Sequence, residues 1–340
     1  MKAYVLHAVK QLRYEDVQMP DCPAGWAIVQ VKAAGICSSD IPRIFTKGTY
    51  HFPTIPGHEF AGIVCSVGSS GDADLVGRHV GVFPLIPCRE CQQCQRGRYE
   101  MCEHYDYLGS RRDGGFAEYV AVPVWNLVVM DDEVPFTHAA LLEPLSVALH
   151  AMKIAGVSLG NSVGIVGTGM IGICAAQWAR ILGAKMVTVV GRNEEKRSLV
   201  ESCGLNYVNG GVVGCGGSFD VVVEAVGTSA TIQQAISLTA PSGSLVLMGN
   251  PASDIVLAQD VYWRILRKQL RIAGTWNSSF DGRRKSDWTE VMDALVQGRL
   301  IVDPLITHLY PQNQMQAGLE MMLRHQEPYC KVMTVWNNQL

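Results

Sequence analysis

Two rhythms of apolar residues divide the chain. Up to about residue 130, apolar and polar positions alternate in short runs. Val29, Val31 and Ala33 interleave with Gln30 and Lys32, the period of two that a half-buried strand requires. FAGIVCSVG, RHVGVF and FAEYVAVP read the same way, each bounded by Gly, Pro or Asp. Thr137 then predicts an N-cap for a helix through HAALLEPLSVALHAM, which is apolar on most faces and therefore buried. Beyond it the rhythm changes. SVGIVG, KMVTVV, FDVVVEAVG and SLVLMGN are near-continuous apolar runs, as strands covered on both faces should be. Between them MIGICAAQWARILG, NEEKRSLVESCG and SATIQQAISLTA predict helices, and NGGVVGCGGS (209–218) predicts a loop. Such alternation implies an α/β fold with a doubly wound parallel sheet. Two amphipathic helices, near DWTEVMDALVQG and QNQMQAGLEMMLRH, and a strand, KVMTVW, close the chain.

The first strand of the second region runs into Gly167, Gly169 and Gly172, a G-x-G-x-x-G turn that also contains Met170 and Ile171. The first glycine permits the tight turn, the second lets backbone approach a pyrophosphate, and the third lets helix pack on strand. The helix N-terminus then faces the phosphates with free N–H groups. Ala225 and Val226, Gly249 and Thr275 follow later strands and complete the candidate cofactor contacts. An NAD site normally places an acid about twenty residues on, to accept from the ribose hydroxyls. Here the strand ends in Gly191-Arg192 instead. No carboxylate repels a 2′-phosphate and a guanidinium can pair with it, so NADP is favoured over NAD. The alternative is a solvated Arg192, with NAD held by other contacts.

Charge narrows the classes. The 340 residues carry a net charge of −3, with no Lys/Arg block and no aromatic-interleaved basic stretch, so a nucleic-acid footprint is missing. No signal peptide precedes KAYVLHA and no apolar stretch approaches a membrane span of about 18 residues. Seven cysteines (22, 37, 65, 174, 203, 215, 330) show no paired framework. Reduced thiols and no export signal place the chain in the cytoplasm.

The other four cysteines carry the clearest chemistry. Cys88, Cys91, Cys94 and Cys102 stand in PCRECQQCQRGRYEMC, and two-residue spacers let successive thiolates point at one centre, as a closed structural zinc site requires. An iron–sulfur run would end in a three-residue spacer and Cys-Pro. Here the last spacer, QRGRYEM, has seven residues and no proline follows.

Together GICSSD, PGHEFAG, the cysteine lobe, GSRRDGGFAEY, LLEPLSVALHA and GTGMIG resemble the zinc-dependent medium-chain dehydrogenases, polyol branch, over essentially the whole chain. The resemblance implies a GroES-like β-rich catalytic domain over 1–150 and 277–340, and a Rossmann coenzyme domain over 151–276. It also implies a catalytic zinc on Cys37, His58 and Glu143, with Glu59 able to coordinate in some states. With the structural zinc that makes two per chain. Three protein ligands and one open position describe a catalytic zinc. Such a metal acidifies a substrate hydroxyl, and hydride passes to the nicotinamide. Ser39 matches the residue that begins the family's proton relay, and Asp40 supports the site. Where alcohol-oxidising relatives carry a histidine, this chain reads Ile41-Pro42-Arg43.

The expected substrate is a polyol or polyol phosphate, oxidised at a secondary hydroxyl to a ketose or ketose phosphate. Arg43 and Arg111, with neighbouring Arg112, are candidates for a phosphate terminus, and Trp276 and Asn277 for the substrate lining. A dehydrogenase of free sorbitol, L-iditol or L-threonine is the alternative. A simple-alcohol dehydrogenase is a further alternative, against which Glu143 argues, because that class uses cysteine there. From a different class comes a non-catalytic NADP(H)- and zinc-binding protein. Apolar edge strands at SLVLMGN and DIVLA predict pairing across a two-fold axis, giving a homodimer or homotetramer.

Overall fold

The computed structural model describes residues 1–210, 219–282 and 286–336. Positions 211–218 of the segment read as a loop lie outside the described residues. The chain forms two compact units: Met1–Glu143 with Ser279–Gly298 and Ile306–Leu340, and Pro144–Ser278 with Arg299–Leu305.

The first unit is built on a seven-stranded sheet. Its central strand, Trp26–Ile36, pairs antiparallel with Glu59–Val67 on one side and Lys331–Val335 on the other, and Tyr119–Pro123 also joins it. The alternation read from the sequence holds here: Val29, Val31 and Ala33 are buried while Gln30 and Lys32 are partly exposed. Phe60, Val64, Val80, Phe116, Val120 and Trp336 share the core behind this sheet.

In the second unit six parallel strands lie in the order Asn206–Asn209, Met186–Gly191, Ser162–Val166, Phe219–Glu224, Thr239–Leu247, Arg271–Gly274. Numbered along the chain this is 3-2-1-4-5-6, the order of a dinucleotide-binding sheet. All five residues of Ser162–Val166 are buried, which explains the unbroken apolar run. The connections reverse direction between Ser162–Val166 and Phe219–Glu224, the switch point at which sheets of this order bind their ligands.

Three local expectations need correction. Thr137 does not cap a helix. A short helix, Phe136–Ala139, is preceded by Pro135, and a turn separates it from Leu142–Ala155. Proline fixes an extended entry there, so no hydroxyl cap is used. DIVLA (254–258) forms no strand, and Thr239–Leu247 is interior to the sheet; the edges are Asn206–Asn209 and Arg271–Gly274. A helix at Gln259–Lys268 was not foreseen. Its pattern is inverted: Val261 is buried and Ile265 packs on the core, whereas Tyr262, Trp263 and Leu266 are exposed. Among the described residues no helix is long and apolar enough to cross a membrane.

Candidate active site

The cysteine lobe is assembled by short local elements. Cys91 precedes the helix Gln92–Gln95, and Cys102 follows the 3₁₀ turn Tyr99–Met101. The four sulfurs lie within 4.8 Å of one another, with Cys88 and Cys94 at 3.9 Å, and none forms a disulfide. Backbone N–H groups point at them: Cys88 donates to Cys102 Sγ at 3.2 Å and Cys91 to Cys88 Sγ at 3.4 Å. The N–H groups of Glu103 and Cys94 pull the Cys91 thiol down to about 6, while burial pushes Cys94 and Cys102 up. Four soft donors converging on one point fit a tetrahedral zinc.

A second group forms where strand ends meet. The register pairs Gly35 with Glu59 and Ile36 with Val332, so Cys37, His58, Glu59 and Lys331 are carried together at the ends of adjacent central strands. Gly35 is needed there, because a Cβ would collide with the Glu59 carboxylate. The ligand atoms of Cys37, His58 and Glu59 lie within 4.8 Å of one another. Glu143, in the first turn of Leu142–Ala155, stands just outside this trio and is buried. A thiol, an imidazole and carboxylates are the donors a catalytic zinc uses, so the group fits that metal.

Every member has a partner. Ser39 Oγ donates to Cys37 Sγ at 3.3 Å and accepts from Arg43 Nη1 at 3.0 Å. Although Ser39 precedes the short helix Asp40–Pro42, its hydroxyl makes no cap bond and is free for this contact. The buried Asp40 accepts from the Cys37 N–H at 2.9 Å and from Arg43 at 3.2 Å, and lies 3.4 Å from His58 Nδ1. Burial opposes the Asp40 charge, but His58 and Arg43 outweigh it and lower the carboxyl below its usual range. Burial likewise opposes the His58 charge, yet Asp40 and Cys37 raise the imidazole well above its ordinary value. Lys331 Nζ pairs with Glu59 Oε2 inside the protein and donates to the Ile36 carbonyl at 3.5 Å. Tyr107 Oη donates to Glu143 Oε1 at 3.3 Å. Burial pushes Glu143 up to about 7, with His58 opposing and Glu59 adding to the rise.

The glycine turn occupies the switch point of the second unit. Gly167 has φ +127°, a conformation side chains resist, and a Cβ at Gly172 would press on the Gly167 carbonyl. A Cβ at Gly169 would meet nothing within 4 Å. Gly169 is the N-cap of Met170–Ile181 and offers no side-chain cap, so the N-terminus of this helix lies at the glycine turn, the place where such helices bind phosphate. Ala225 follows the neighbouring strand and donates to the Val166 carbonyl at 2.9 Å, while Val226 Cγ2 lies against Gly167. Gly249 and Thr275 follow the next two strands, their N–H groups bonded to Glu224 and Leu247 carbonyls at 3.0 and 3.3 Å. The predicted cofactor residues thus share the carboxyl ends of the strands, where dinucleotides bind. Gly191 has a packing reason of its own: a Cβ would come within 2.5 Å of Thr168 Cγ2 and 2.7 Å of Tyr207 Cε2. Arg192 is exposed and has no ion pair among the described residues.

The substrate candidates separate. Arg43 contacts the metal-ligand group. Arg111 does not: its guanidinium is sandwiched between the rings of Tyr50 and Tyr105, at 4.2 and 4.3 Å, and donates to the Tyr105 carbonyl. Arg112 pairs with Asp106 at 2.6 Å. Both line a pocket of about 630 Å³ with Trp26 and His51, and none of Cys37, His58, Glu59 and Glu143 lines it. Trp276 and Asn277 belong to the second unit, Trp276 exposed and Asn277 at φ +53°. Sequence reasoning missed Tyr107 and Lys331. The lysine gave one signal, a charge opening an apolar strand, but a strand end is where a solvated charge is ordinary.

A β-rich unit with two metal-ligand groups and a unit with the dinucleotide sheet define a zinc-binding, nicotinamide-dependent dehydrogenase. Residues 23–132 match the alcohol dehydrogenase GroES-like domain and residues 171–297 the zinc-binding dehydrogenase domain. The chain is 35% identical over 290 residues to galactitol 1-phosphate 5-dehydrogenase of Escherichia coli (strain K12), covering 82% of this chain and 84% of that one. It is 27% identical to sorbitol dehydrogenase of Bacillus subtilis (strain 168), covering 99% and 98%. Among solved structures, galactitol-1-phosphate dehydrogenase from Escherichia coli superposes with TM-score 0.89 at 32% identity, covering 98% of this chain and all of that one. A zinc-binding dehydrogenase from Sinorhizobium meliloti 1021 bound to NADP gives 0.88 at 29%, covering 98% of each chain. An alcohol dehydrogenase from Escherichia coli CFT073 with NADH gives 0.89 at 26%, covering 98% and 99%. The chain belongs to the zinc-dependent medium-chain alcohol and polyol dehydrogenases.

Proposed function

We propose that the protein oxidises a secondary hydroxyl of a polyol or polyol phosphate of the galactitol-1-phosphate kind, reversibly giving the ketose or ketose phosphate. The observation that carries this is the Cys37–His58–Glu59 group, its imidazole and carboxylate buried and its thiol partly exposed, with Glu143 beside it and each member held by its own partner. Cys37, His58 and Glu143 hold the catalytic zinc, with Glu59 in reserve, and Cys88, Cys91, Cys94 and Cys102 hold a structural one. When bound, the zinc supplies Lewis acidity toward the substrate hydroxyl and the nicotinamide accepts hydride. Ser39 relays the hydroxyl proton, accepting it on Oγ as its own hydroxyl proton passes to solvent water. Arg43 cannot pass it on, because a guanidinium only donates. Arg43 instead holds Ser39 and Asp40 in place, and its remaining N–H groups face substrate oxygens.

NADP is the preferred cofactor. With Gly191 explained by packing, this reading rests on Arg192, which is exposed and has no ion pair among the described residues. The assembly is a homodimer or homotetramer through the edge strand Arg271–Gly274, where Ile272 and the nearby Tyr262, Trp263 and Leu266 are exposed. The cytoplasm is the expected compartment, since the described cysteines are all free thiols.

A dehydrogenase screen of free and phosphorylated polyols, each with NAD and NADP, tests the reading. Highest kcat/KM on a polyol phosphate is expected. Equal or better turnover of free sorbitol, L-iditol or L-threonine removes the phosphate assignment, and no turnover of any alcohol leaves the non-catalytic alternative.

A further inference from the structure

Three strand-end turns of the second unit meet at one buried acid. Glu224 ends the strand Phe219–Glu224 and pairs in register with Val166, the residue before Gly167. It is fully buried. Its Oε1 accepts from the Val226 N–H at 2.9 Å and from the Gly227 N–H at 2.8 Å, which closes the turn beyond its own strand. Its main-chain carbonyl accepts from Met248 at 2.9 Å and from Gly249 at 3.0 Å, beyond the neighbouring strand. These two turns touch: Gly227 has φ +86°, and a Cβ at Gly249 would come within 2.1 Å of the Gly227 nitrogen. Val226 in turn lies against Gly167. One residue thus sets the spacing of the glycine turn and of the two turns that carry the candidate cofactor contacts Val226 and Gly249.

Stability alone does not call for an acid at this position. Glu224 Oε2 is buried and has no hydrogen-bond partner among the described residues. Burying a carboxyl with one oxygen unpaired is costly, and the neighbouring Val222 and Val223 show that the sheet accepts apolar side chains here. A local rule broken in an otherwise consistent element marks a functional position. What the acid supplies, and an apolar residue cannot, is one acceptor shared by two N–H groups of the turn.

We infer that Glu224 is a positioning residue for the cofactor, holding the turns at Val226 and Gly249 at the separation from Gly167 that binds a nicotinamide dinucleotide. The inference rests on the reading of this unit as the dinucleotide site and is independent of the alcohol oxidised.

The test is fluorescence titration of the full chain with NADPH and with NADH. Glu224→Leu removes the acceptor and leaves two buried N–H groups unpaired, whereas Glu224→Gln keeps one carbonyl oxygen for both. Gly227→Ala disturbs the same turn without touching the acid, because its φ resists a side chain and a Cβ would come within 2.8 Å of the Asn250 main chain. Cofactor Kd should rise about tenfold or more in Glu224→Leu and in Gly227→Ala, and stay near the parent value in Glu224→Gln. Zinc content, which reports the first unit, should be unaltered in all three. A residue serving stability alone would lower the thermal midpoint without moving the Kd of the folded protein. A parental Kd in Glu224→Leu overturns the inference, as does a parental Kd in Gly227→Ala should Glu224→Leu not fold. Glu224→Gln binding as weakly as Glu224→Leu overturns it too. A parent that binds neither NADPH nor NADH overturns the dinucleotide reading itself, and the inference with it.

Discussion

The cysteine lobe and the Cys37–His58–Glu143 group lie in one unit and use opposite strategies. The lobe collects its ligands from fifteen consecutive positions, 88–102, leaves two of its cysteines partly exposed, and surrounds its sulfurs with backbone N–H groups. The other group draws Cys37, His58 and Glu143 from distant segments and restrains each with a side chain of its own. In the first arrangement a bound metal would act as a staple for a loop with little apolar content, since metal-binding free energy is then folding free energy. The second holds its donors through strand pairing and ion pairs that exist without metal, which would leave a bound metal free to serve chemistry.

Ligand changes should therefore have opposite consequences in the two places. Cys37→Ser, His58→Ala or Glu143→Ala should reduce kcat by on the order of 10³-fold or more, because Lewis-acid stabilisation is worth several kcal/mol. Thermal midpoint and nucleotide binding should be nearly unchanged. Turnover within a few-fold of the parent in any of the three breaks the comparison. Cys91→Ser should do the reverse, with the thermal midpoint lowered by about 2–4 °C for each kcal/mol lost. The Cys37 site should keep its metal, and an unchanged midpoint alongside lost lobe metal contradicts a structural role.

Acidity separates the regions more gently. In the metal-free protein burial raises Glu143 to about 7, and Asp40 and Cys37 raise His58 despite its burial. Both raised groups hold protons that a metal must displace, because it needs ionised carboxylate and neutral imidazole. Affinity at this site should accordingly rise with pH through 7, by about tenfold per unit for each proton displaced. Chelator titrations between pH 6 and 8 check the sign, and affinity that is flat or falls with pH contradicts it. The smallest effect is expected at the cofactor. Arg192→Ala should lower the NADP-over-NAD ratio of kcat/KM by about tenfold, the low end for one charge-assisted contact at an exposed position. A parent that uses NAD at least as well as NADP leaves Arg192 a solvated loop residue.

The same contrast explains what the sequence disclosed. The lobe was legible from spacing alone, as were the glycine turn and the apolar strands of the parallel sheet, because each is a local pattern. Cys37, His58 and Glu143 were named through resemblance, since nothing local links positions so far apart; the structure brings Cys37 and His58 together with Glu59. Tyr107 and Lys331 were invisible in both ways. Their meaning comes from tertiary approach: the register that sets Val332 opposite Ile36 brings Lys331 to Glu59, and no motif contains either pairing. The Gln259–Lys268 helix was missed for the converse reason, its large apolar residues facing outward and breaking the expected stripe.

Metal content per chain tests the central claim most directly, measured in the parent, in Cys91→Ser and in Cys37→Ser. Two zinc ions are predicted for the parent and one for each variant, with Cys91→Ser less stable but still holding metal at Cys37, and Cys37→Ser stable but inactive. A single zinc in the parent, or loss of both from Cys37→Ser, contradicts the account of one chain carrying separate structural and catalytic sites.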